Sequence, residues 1–143
     1  RGAVRFDVPQ DWHFEPQEKS FSFHDAPPPN DDARLEVSYN QLPQGDWSLF
    51  PLQHTLKKVV EEDSRNVIDK SEIITIKRQT ARIVWTELKF IDSNEDREAF
   101  SRICIGLGSN VQCLITFEFW ADQAEKMVPV WDEVMRSLVL GLY

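Results

Sequence analysis

The amino-acid sequence predicts an α+β domain in which two helices pack on one antiparallel sheet. Apolar and polar residues alternate along seven segments, which is typical of half-buried strands. Two other segments carry apolar residues at steps of three and four, which is the spacing of amphipathic helices. The last two long strand segments are apolar on both faces, so we expect both faces of the sheet to be covered.

Composition favours a single folded domain over residues 1–143. Hydrophobic side chains make up 41% of the chain and charged side chains 28%, so disorder, collagen and coiled coil are disfavoured. A formal net charge of -8 repels phosphate and argues against nucleic acid as a partner. No apolar run approaches the roughly 20 residues that span a bilayer. For the location of the protein, the cytoplasm is favoured over an exported, processed form.

The first third of the chain is predicted to form three short strands. Apolar residues alternate with polar ones over 3–9, and Pro9 ends that strand because proline cannot donate to the ladder. The same alternation occurs over 20–24 and over 35–40. The stretch 27–32 contains three prolines, which fix the backbone and remove donors, so it is predicted to be a loop.

An amphipathic helix of about four turns is predicted to begin at Trp47, with Pro51 tolerated in its first turn. Its apolar stripe consists of Leu49, Leu52, Leu56, Val59 and Val60. A second helix is predicted near the C-terminus, where Asp122 and Glu125 resemble a capping box. Its stripe consists of Met127, Val130, Trp131, Val134, Met135 and Leu138. We expect this last helix to cover the face of the sheet that bears Ile103 and Ile105.

Four strands are predicted between the helices, over 72–77, 81–91, 98–107 and 111–120. Gly108 and Ser109 fit a two-residue hairpin loop with glycine in its first position. That loop would place Cys104 directly opposite Cys113. Both thiols are predicted to be reduced and buried, and a cross-strand disulfide is the alternative. Two cysteines are too few for a disulfide scaffold or a structural zinc site.

Two segments resemble a known family. The chain reads Phe-Asp-Val-Pro-Gln-Asp-Trp over 6–12 and Val-Trp-Asp-Glu-Val-Met-Arg-Ser-Leu over 130–138. With the mid-chain helix and the long strands between them, these segments resemble the Mog1/PsbP-like superfamily, in particular its bacterial PsbP-like and DcrB-like branch. Pro9 and Trp131 match structural positions of the pattern, whereas Asp11 stands where the family usually carries glycine. The resemblance implies a single-domain α/β/α sandwich that acts by binding another protein.

The sequence carries no motif that points to catalysis. It lacks a G-x-S-x-G elbow for a nucleophile, and its glycines do not cluster ahead of a helix as a phosphate cradle requires. Paired carboxylates fall on predicted helix exteriors and turns, where solvated charge belongs. We therefore expect a protein that is not an enzyme and takes no cofactor.

Four residues are candidates for binding a partner. Trp12 and Trp47 lie in predicted loops, where a large ring either closes the core or anchors a partner. With Asp31 and Asp32 they form the predicted interface, whose acidity would favour a basic or mixed-charge protein. The alternative is a secretion-associated adaptor or chaperone that holds a hydrophobic segment, which predicts a contiguous apolar surface patch.

His24 and Asp25 are the candidate metal ligands. His13 could meet His24 across the first hairpin, with Asp25 as a third ligand. The acidic stretch 25–32 lacks the alternation and the glycine of an EF-type calcium loop, and a solvated acidic loop is the favoured interpretation. A metal-dependent PsbP-like accessory protein is therefore the second alternative function.

Overall fold

The structure is a computed structural model that describes residues 2–141. An antiparallel sheet of eight strands forms its centre, and one helix lies on each face, which confirms the predicted α+β class. The helices are α1, Leu52–Glu61, and α2, Ala124–Ser137. The strands are β1 Val4–Arg5, β2 His13–Pro16, β3 Ser20–His24, β4 Ala33–Gln41, β5 Asn66–Lys70, β6 Ile74–Lys77, β7 Arg82–Asp92, β8 Arg97–Leu107, β9 Val111–Trp120 and β10 Val139–Leu140.

The strand order of the large sheet is β2-β3-β4-β9-β8-β7, with β5 and β6 both pairing with the outer side of β7. The short strands β1 and β10 form a separate two-stranded sheet that joins the two ends of the described chain. The sequence does not predict three of the strands, β2, β5 and the two-residue β10. Both β2 and β5 are short and largely polar, and none of their residues is fully buried, so their patterns resemble those of loops.

Each helix covers the face opposite to the one predicted for it. The helix α2 packs against the face that bears Cys104 and Phe117, and α1 packs against the face that bears Ile103 and Ile105. Trp131, fully buried, is the centre of the α2 interface. Its ring stacks on Phe117 at 6.0 Å and meets Trp85 edge-on at 5.4 Å.

The helix α1 is shorter than predicted because Pro51 precedes it instead of lying in its first turn. The residue before a proline is disfavoured in helical conformation, so Phe50 and the residues ahead of it cannot extend the helix. Leu49, predicted to belong to the apolar stripe, is 93% exposed. The buried residues of the helix are Leu52 and Leu56.

The hairpin between β8 and β9 has a two-residue loop, but the loop lies one residue later than predicted. Ser109 and Asn110 form it, and the N–H of Gly108 donates to the carbonyl of Val111 at 2.8 Å. This shift moves every cross-strand pair by two residues, so Cys104 pairs with Ile115 and Cys113 pairs with Gly106. The predicted direct opposition of the two cysteines is wrong.

Gly106 and Gly108 are required by packing. A Cβ atom on Gly106 would lie 2.7 Å from Leu140 Cδ1 and 2.9 Å from Cys113 Sγ. A Cβ atom on Gly108 would lie 2.9 Å from the backbone oxygen of Leu140. The glycines therefore admit β10 against β8, and the sequence pattern attributed to a turn reflects a close approach of two strands.

The start of α2 also differs from the prediction. A short 3-10 turn, Ala121–Gln123, precedes the helix, and its N-cap residue makes no side-chain capping bond. Asp122, expected in a capping box, instead accepts two hydrogen bonds from Arg97 at 2.9 and 3.0 Å. The Arg97 guanidinium lies over the Trp120 ring at 4.4 Å, so Trp120 packs there and not against Trp131.

Cys104 and Cys113 are free and buried, as predicted. Burial raises the pKa of the Cys113 thiol to about 12 and holds the pKa of the Cys104 thiol well above its ordinary value. At the other end of the core, Pro9 closes a turn, since its carbonyl accepts the N–H of Trp12 at 3.2 Å. Neither helix in residues 2–141 has the length and apolarity needed to cross a membrane.

Candidate functional site

One half of the sheet is left open by α1. The helix α1 packs on β7 and β8, whereas the same face of β2, β3 and β4 carries mostly polar side chains. The carboxylates on and around this open surface, which we call the acidic face, are Glu15, Asp31, Asp32, Glu36, Asp92 and Glu118. Arg34 lies among these carboxylates and pairs with Glu36.

His24 organises the acidic face from β3. Its ring is 5% exposed, and both ring nitrogens are hydrogen-bonded. Nδ1 lies 2.8 Å from Asp31 Oδ2, and Nε2 lies 3.0 Å from Ser22 Oγ. The contact with Asp31 ties the proline-rich loop over 25–32 to the sheet, so the loop is held at a fixed position.

Ser22, His24 and Asp31 reproduce the hydrogen bonds of a serine–histidine–aspartate triad. Ser22, however, is 1% exposed and lies in the interior of β3, between β2 and β4. Its cross-strand neighbours on the two sides are Glu15 and Glu36, which disfavour a developing oxyanion. The arrangement therefore fits a structural network better than a nucleophile.

Asp25 completes the loop anchor through the backbone. Its Oδ1 accepts the N–H of Asp32 at 2.8 Å and the N–H of Ala33 at 3.0 Å. This oxygen of Asp25 is therefore engaged with the backbone at the start of β4. The loop is fastened at two points, by His24 to Asp31 and by Asp25 to the start of β4.

A cleft of about 160 Å³ opens at the end of the sheet where this loop folds back. Its polar lining consists of Asp31, Asp32, Arg34, Asp92 and Glu118, and its apolar lining of Ala33, Phe90, Ala99, Phe119 and Trp120. Arg34 pairs with Glu36 at one border of the cleft. No ion pair within residues 2–141 involves Asp32 or Asp92, although Asp92 Oδ1 accepts the N–H of Asn94 at 2.8 Å.

Arg65 lies next to the cleft and contacts two of its lining residues, Glu118 and Phe90. Its guanidinium bonds to Glu118 and Asp63, donates to Ser101 Oγ at 3.1 Å, and stacks on Phe90 at 4.3 Å. The hydrogen bond from Arg65 lowers the pKa of the Asp63 carboxyl. A guanidinium is thus already held here by one ring and two carboxylates, which shows the kind of group that these walls accommodate.

The structure separates the four predicted interface residues. Trp47 lies beside Leu107 and Gly108, at the end of β9 opposite to the cleft. At a strand rise of 3.4 Å per residue, the two ends of β9 are about 24 Å apart, so Trp47 is about that far from the cleft. Its Nε1 donates to the Pro43 carbonyl at 3.1 Å. Trp12 packs against Phe117 at 6.1 Å, on the α2 face. Both rings therefore close the core, and the single surface predicted for the four residues does not form.

The predicted meeting of His13 and His24 is confirmed. They are direct partners across the β2–β3 hairpin, with ring centroids 6.3 Å apart. The carboxylate beside them is Glu15, with Oε2 at 3.5 Å from His13 Nε2 and 4.0 Å from His24 Nε2. Even so, no group of three His, Cys, Asp or Glu side chains in the described chain is placed to hold a metal ion.

Sequence reasoning missed a second surface, at the free edge of β2. Phe14 is 50% exposed, and its ring lies 5.1 Å from Phe23 and 6.0 Å from Phe21. Tyr39, 45% exposed, borders the same depression. The close spacing of three phenylalanines over 14–23 is the signal that could have found it, although the polar residues of β2 make the segment resemble a turn.

The other exposed large apolar side chains of residues 2–141 are Leu49, Ile68 and Ile74. Leu49 precedes α1, and the two isoleucines lie on β5 and β6 at the far edge of the sheet. These positions are separated from Phe14 and Tyr39 by the width of the sheet. The most exposed large apolar side chains within residues 2–141 therefore lie on several separate elements of the fold.

The family model described as Alr1449 matches residues 1–143. This chain belongs to the Alr1449 family. Over 144 residues it is 78% identical to the Uncharacterized protein alr1449 of Nostoc sp. (strain PCC 7120 / SAG 25.82 / UTEX 2576), a match that covers 100% of this chain and 75% of that protein.

Solved structures share the fold of this Alr1449 chain. The solution structure of cyanobacterial PsbP (CyanoP) from Synechocystis sp. PCC 6803 has a TM-score of 0.61 at 13% identity, covering 96% of this chain and 86% of that one. The Ran-binding protein Mog1p of Saccharomyces cerevisiae has a TM-score of 0.57 at 11% identity, covering 97% and 90%. These similarities confirm the Mog1/PsbP-like fold.

A crystal structure from Bacteroides thetaiotaomicron VPI-5482 is similar at a TM-score of 0.66 and 18% identity. The match covers 98% of the Alr1449 chain and 46% of that chain, so the present chain spans about half of the length of this neighbour. At these identities the similarity concerns the fold, and function has to be argued from the surface of this chain.

Proposed function

We propose that the protein is a non-catalytic protein-binding module that recognises a basic segment of its partner through the acidic face. The observation that carries the proposal is the cleft between the proline-rich loop and β9, where carboxylates without an ion-pair partner and aromatic residues line the same walls. Asp32 and Asp92 supply charge, and the half-buried ring of Trp120 supplies apolar area. A lysine or arginine side chain has the matching chemistry, a cationic head on an apolar stem.

The neighbouring arginines support a cationic ligand. Arg65 stacks on Phe90 at 4.3 Å while it bonds to Glu118, and Arg97 stacks on Trp120 at 4.4 Å while it bonds to Asp122. Each guanidinium is thus bound by one ring and at least one carboxylate. An incoming cation would find the same pair of contacts inside the cleft.

Two further observations support a binding role. The loop that forms the cleft is fastened by His24 and Asp25, so the site is preorganised and less ordering entropy is lost on binding. A protein with the same fold, Mog1p, is a Ran-binding protein. The enclosed hydroxyl of Ser22 supports a role without catalysis.

Titration of the ¹⁵N-labelled protein with a short peptide of alternating glycine and arginine tests this proposal. We expect chemical-shift changes at the Trp120 indole N–H and at the backbone N–H groups of 31–34, weakening as salt is added. The matched peptide of alternating glycine and glutamate should produce none. Shifts spread evenly over the surface, or equal shifts with both peptides, would contradict recognition in the cleft.

A pair of variants separates the cleft from general charge. Asp32→Asn with Asp92→Asn should weaken arginine-peptide binding about tenfold, the effect of ~1.4 kcal/mol. The control, Glu61→Gln with Glu62→Gln, removes the same charge from the exposed end of α1 and should leave binding unchanged. If both pairs weaken binding equally, the attraction comes from net charge and the proposed site is wrong.

A further inference from the structure

The free edge of β2 exposes one residue's backbone for pairing. β2 is the outermost strand of the large sheet, with β3 as its neighbour. The hairpin between them is closed by the N–H of Gln17, which donates to the carbonyl of Ser20 at 2.9 Å. Since hydrogen-bonded pairs alternate along an antiparallel ladder, the backbones of residues 13 and 15 face β3. The N–H and C=O of Phe14 therefore point outward.

The side chains of this edge are self-complementary. If a second copy of the strand runs antiparallel to the first with Phe14 opposite Phe14, then His13 lies opposite Glu15 of the second copy, and Glu15 opposite its His13. Both are non-hydrogen-bonded pairs, the type in which the Cα atoms and the side chains of opposite residues lie closer together. The register thus creates two imidazole–carboxylate contacts and no pairing of like charges.

The same register buries an exposed ring. Phe14, half exposed, already contacts Phe21 and Phe23 at the border of the aromatic cluster. Opposite its own copy, Phe14 would contact a second Phe14. The aromatic clusters of the two chains, each made of Phe14, Phe21 and Phe23, would then be in contact with each other. Aromatic cross-strand pairs are among the stabilising contacts of antiparallel sheets.

We propose that β2 pairs with β2 of a second copy of this chain, forming a weak, closed dimer with Phe14 on its two-fold axis. In this register Trp12 lies opposite Pro16. Pro16 has no N–H, and the N–H of Trp12 already donates to Pro9 at 3.2 Å, so the backbone pairing does not extend beyond His13–Glu15. A two-fold symmetric interface occupies the free β2 edge of both copies, so no further chain can add there and the assembly ends at a dimer. The inference is independent of the proposed function.

Sedimentation velocity from about 10 µM to about 1 mM tests the dimer, a range suited to a small interface. We expect the wild type to shift from monomer to dimer. His13→Glu places two glutamates opposite each other, and Glu15→Lys places lysine opposite histidine, so each single variant should weaken the dimer about tenfold or more. Glu72→Lys, the same charge change on an exposed residue outside β2, should leave the dimer unchanged.

Mixing the two single variants gives the decisive measurement. In a mixed pair, the introduced glutamate of one chain faces the introduced lysine of the other, and the remaining Glu15 faces the remaining His13. Both contacts are then attractive again, so an equimolar mixture should dimerise although each variant alone does not. A monomeric wild type at the highest concentration, single variants that dimerise as the wild type does, or a mixture that stays monomeric would each overturn the proposal.

Folding of each variant is checked by its thermal transition. If either charge variant fails to fold, the Phe14→Glu variant tests the dimer instead. Phe14 is half exposed, so its replacement leaves the core intact, and it would place two carboxylates opposite each other on the two-fold axis. A Phe14→Glu protein that stays folded and becomes monomeric supports the dimer, and one that dimerises like the wild type overturns it. Peptide binding in the cleft is measured separately, so failure of either proposal leaves the other standing.

Discussion

His24 and Asp31 are separated by seven positions in the sequence, and their side chains meet at 2.8 Å. This contact fastens the proline-rich loop to β3 and gives the acidic face its shape. It also explains why a histidine is buried near a strand end, since one ring nitrogen bonds to the loop and the other to Ser22. On this half of the sheet, which α1 does not cover, the hydrogen bonds of Ser22, His24 and Asp31 hold the loop against the strands.

Removing His24 should loosen the loop and destabilise the protein. His24→Ala leaves Ser22 and Asp31 without their partner, and an unsatisfied buried polar group costs about 1–3 kcal/mol. We expect that loss in urea unfolding, together with faster amide hydrogen exchange over 25–33. His54→Ala, an exposed histidine on α1, is the control and should change neither quantity. Equal stability of the two variants would show that the network does not hold the loop.

Despite the triad-like hydrogen bonds, we expect Ser22 not to react as a nucleophile. A fluorophosphonate probe requires an accessible, activated serine, and Ser22 is 1% exposed. We expect no covalent adduct on the native protein by intact-mass spectrometry, with a serine hydrolase labelled in parallel as the positive control. An adduct that disappears in both Ser22→Ala and His24→Ala would establish a nucleophile and refute the non-catalytic interpretation.

Gly106 should tolerate no side chain. A Cβ there would meet Leu140 Cδ1 at 2.7 Å and Cys113 Sγ at 2.9 Å, and overpacking of this kind costs about 1–3 kcal/mol. Gly106→Ala is therefore expected to lower the free energy of unfolding by that amount. Gly45→Ala is the matched control, because its nearest contact would be an ordinary 3.9 Å to Trp47 Nε1. Identical unfolding curves for the two variants would contradict the close approach of β10.

The sequence was sufficient to locate the regular elements with strong periodicity. Four long strands and the C-terminal helix lie where alternation and helical spacing placed them, because each buries a continuous apolar face. Register was harder to predict. Gly108 fits a hairpin loop by local chemistry, and the tertiary contact with Leu140 that actually requires it involves a strand about 30 residues away, which no local pattern reveals.

The site was predictable only in part, for the same reason. His24, Asp25, Asp31 and Asp32 are close in sequence, so one loop brings them together, and Asp25 accepts hydrogen bonds from the backbone. Trp47 looked equivalent to them as an exposed loop aromatic. Trp47 and the cleft lie at opposite ends of β9, and the strand end that a loop meets is a long-range property that periodicity does not encode.

The buried thiol of Cys113 predicts a dependence of stability on alkaline pH. Burial raises its pKa to about 12 in the folded chain, compared with about 8.5 for an exposed thiol. Between these values the unfolded chain loses the proton and the folded chain keeps it. The folded state then binds more protons, so the free energy of unfolding must fall as pH rises, by up to about 1.4 kcal/mol per pH unit.

Cys113→Ala isolates this effect, since other titrating groups contribute equally to both proteins. Linkage predicts that the wild type loses about 2 kcal/mol more than the variant between about pH 8 and about pH 10. Urea unfolding of both proteins at the two pH values measures the difference. Parallel losses in wild type and variant would mean that the thiol ionises in the folded protein, and would contradict its enclosure between β8, β9 and β10. A smaller loss in the variant would confirm that the thiol stays protonated in the core.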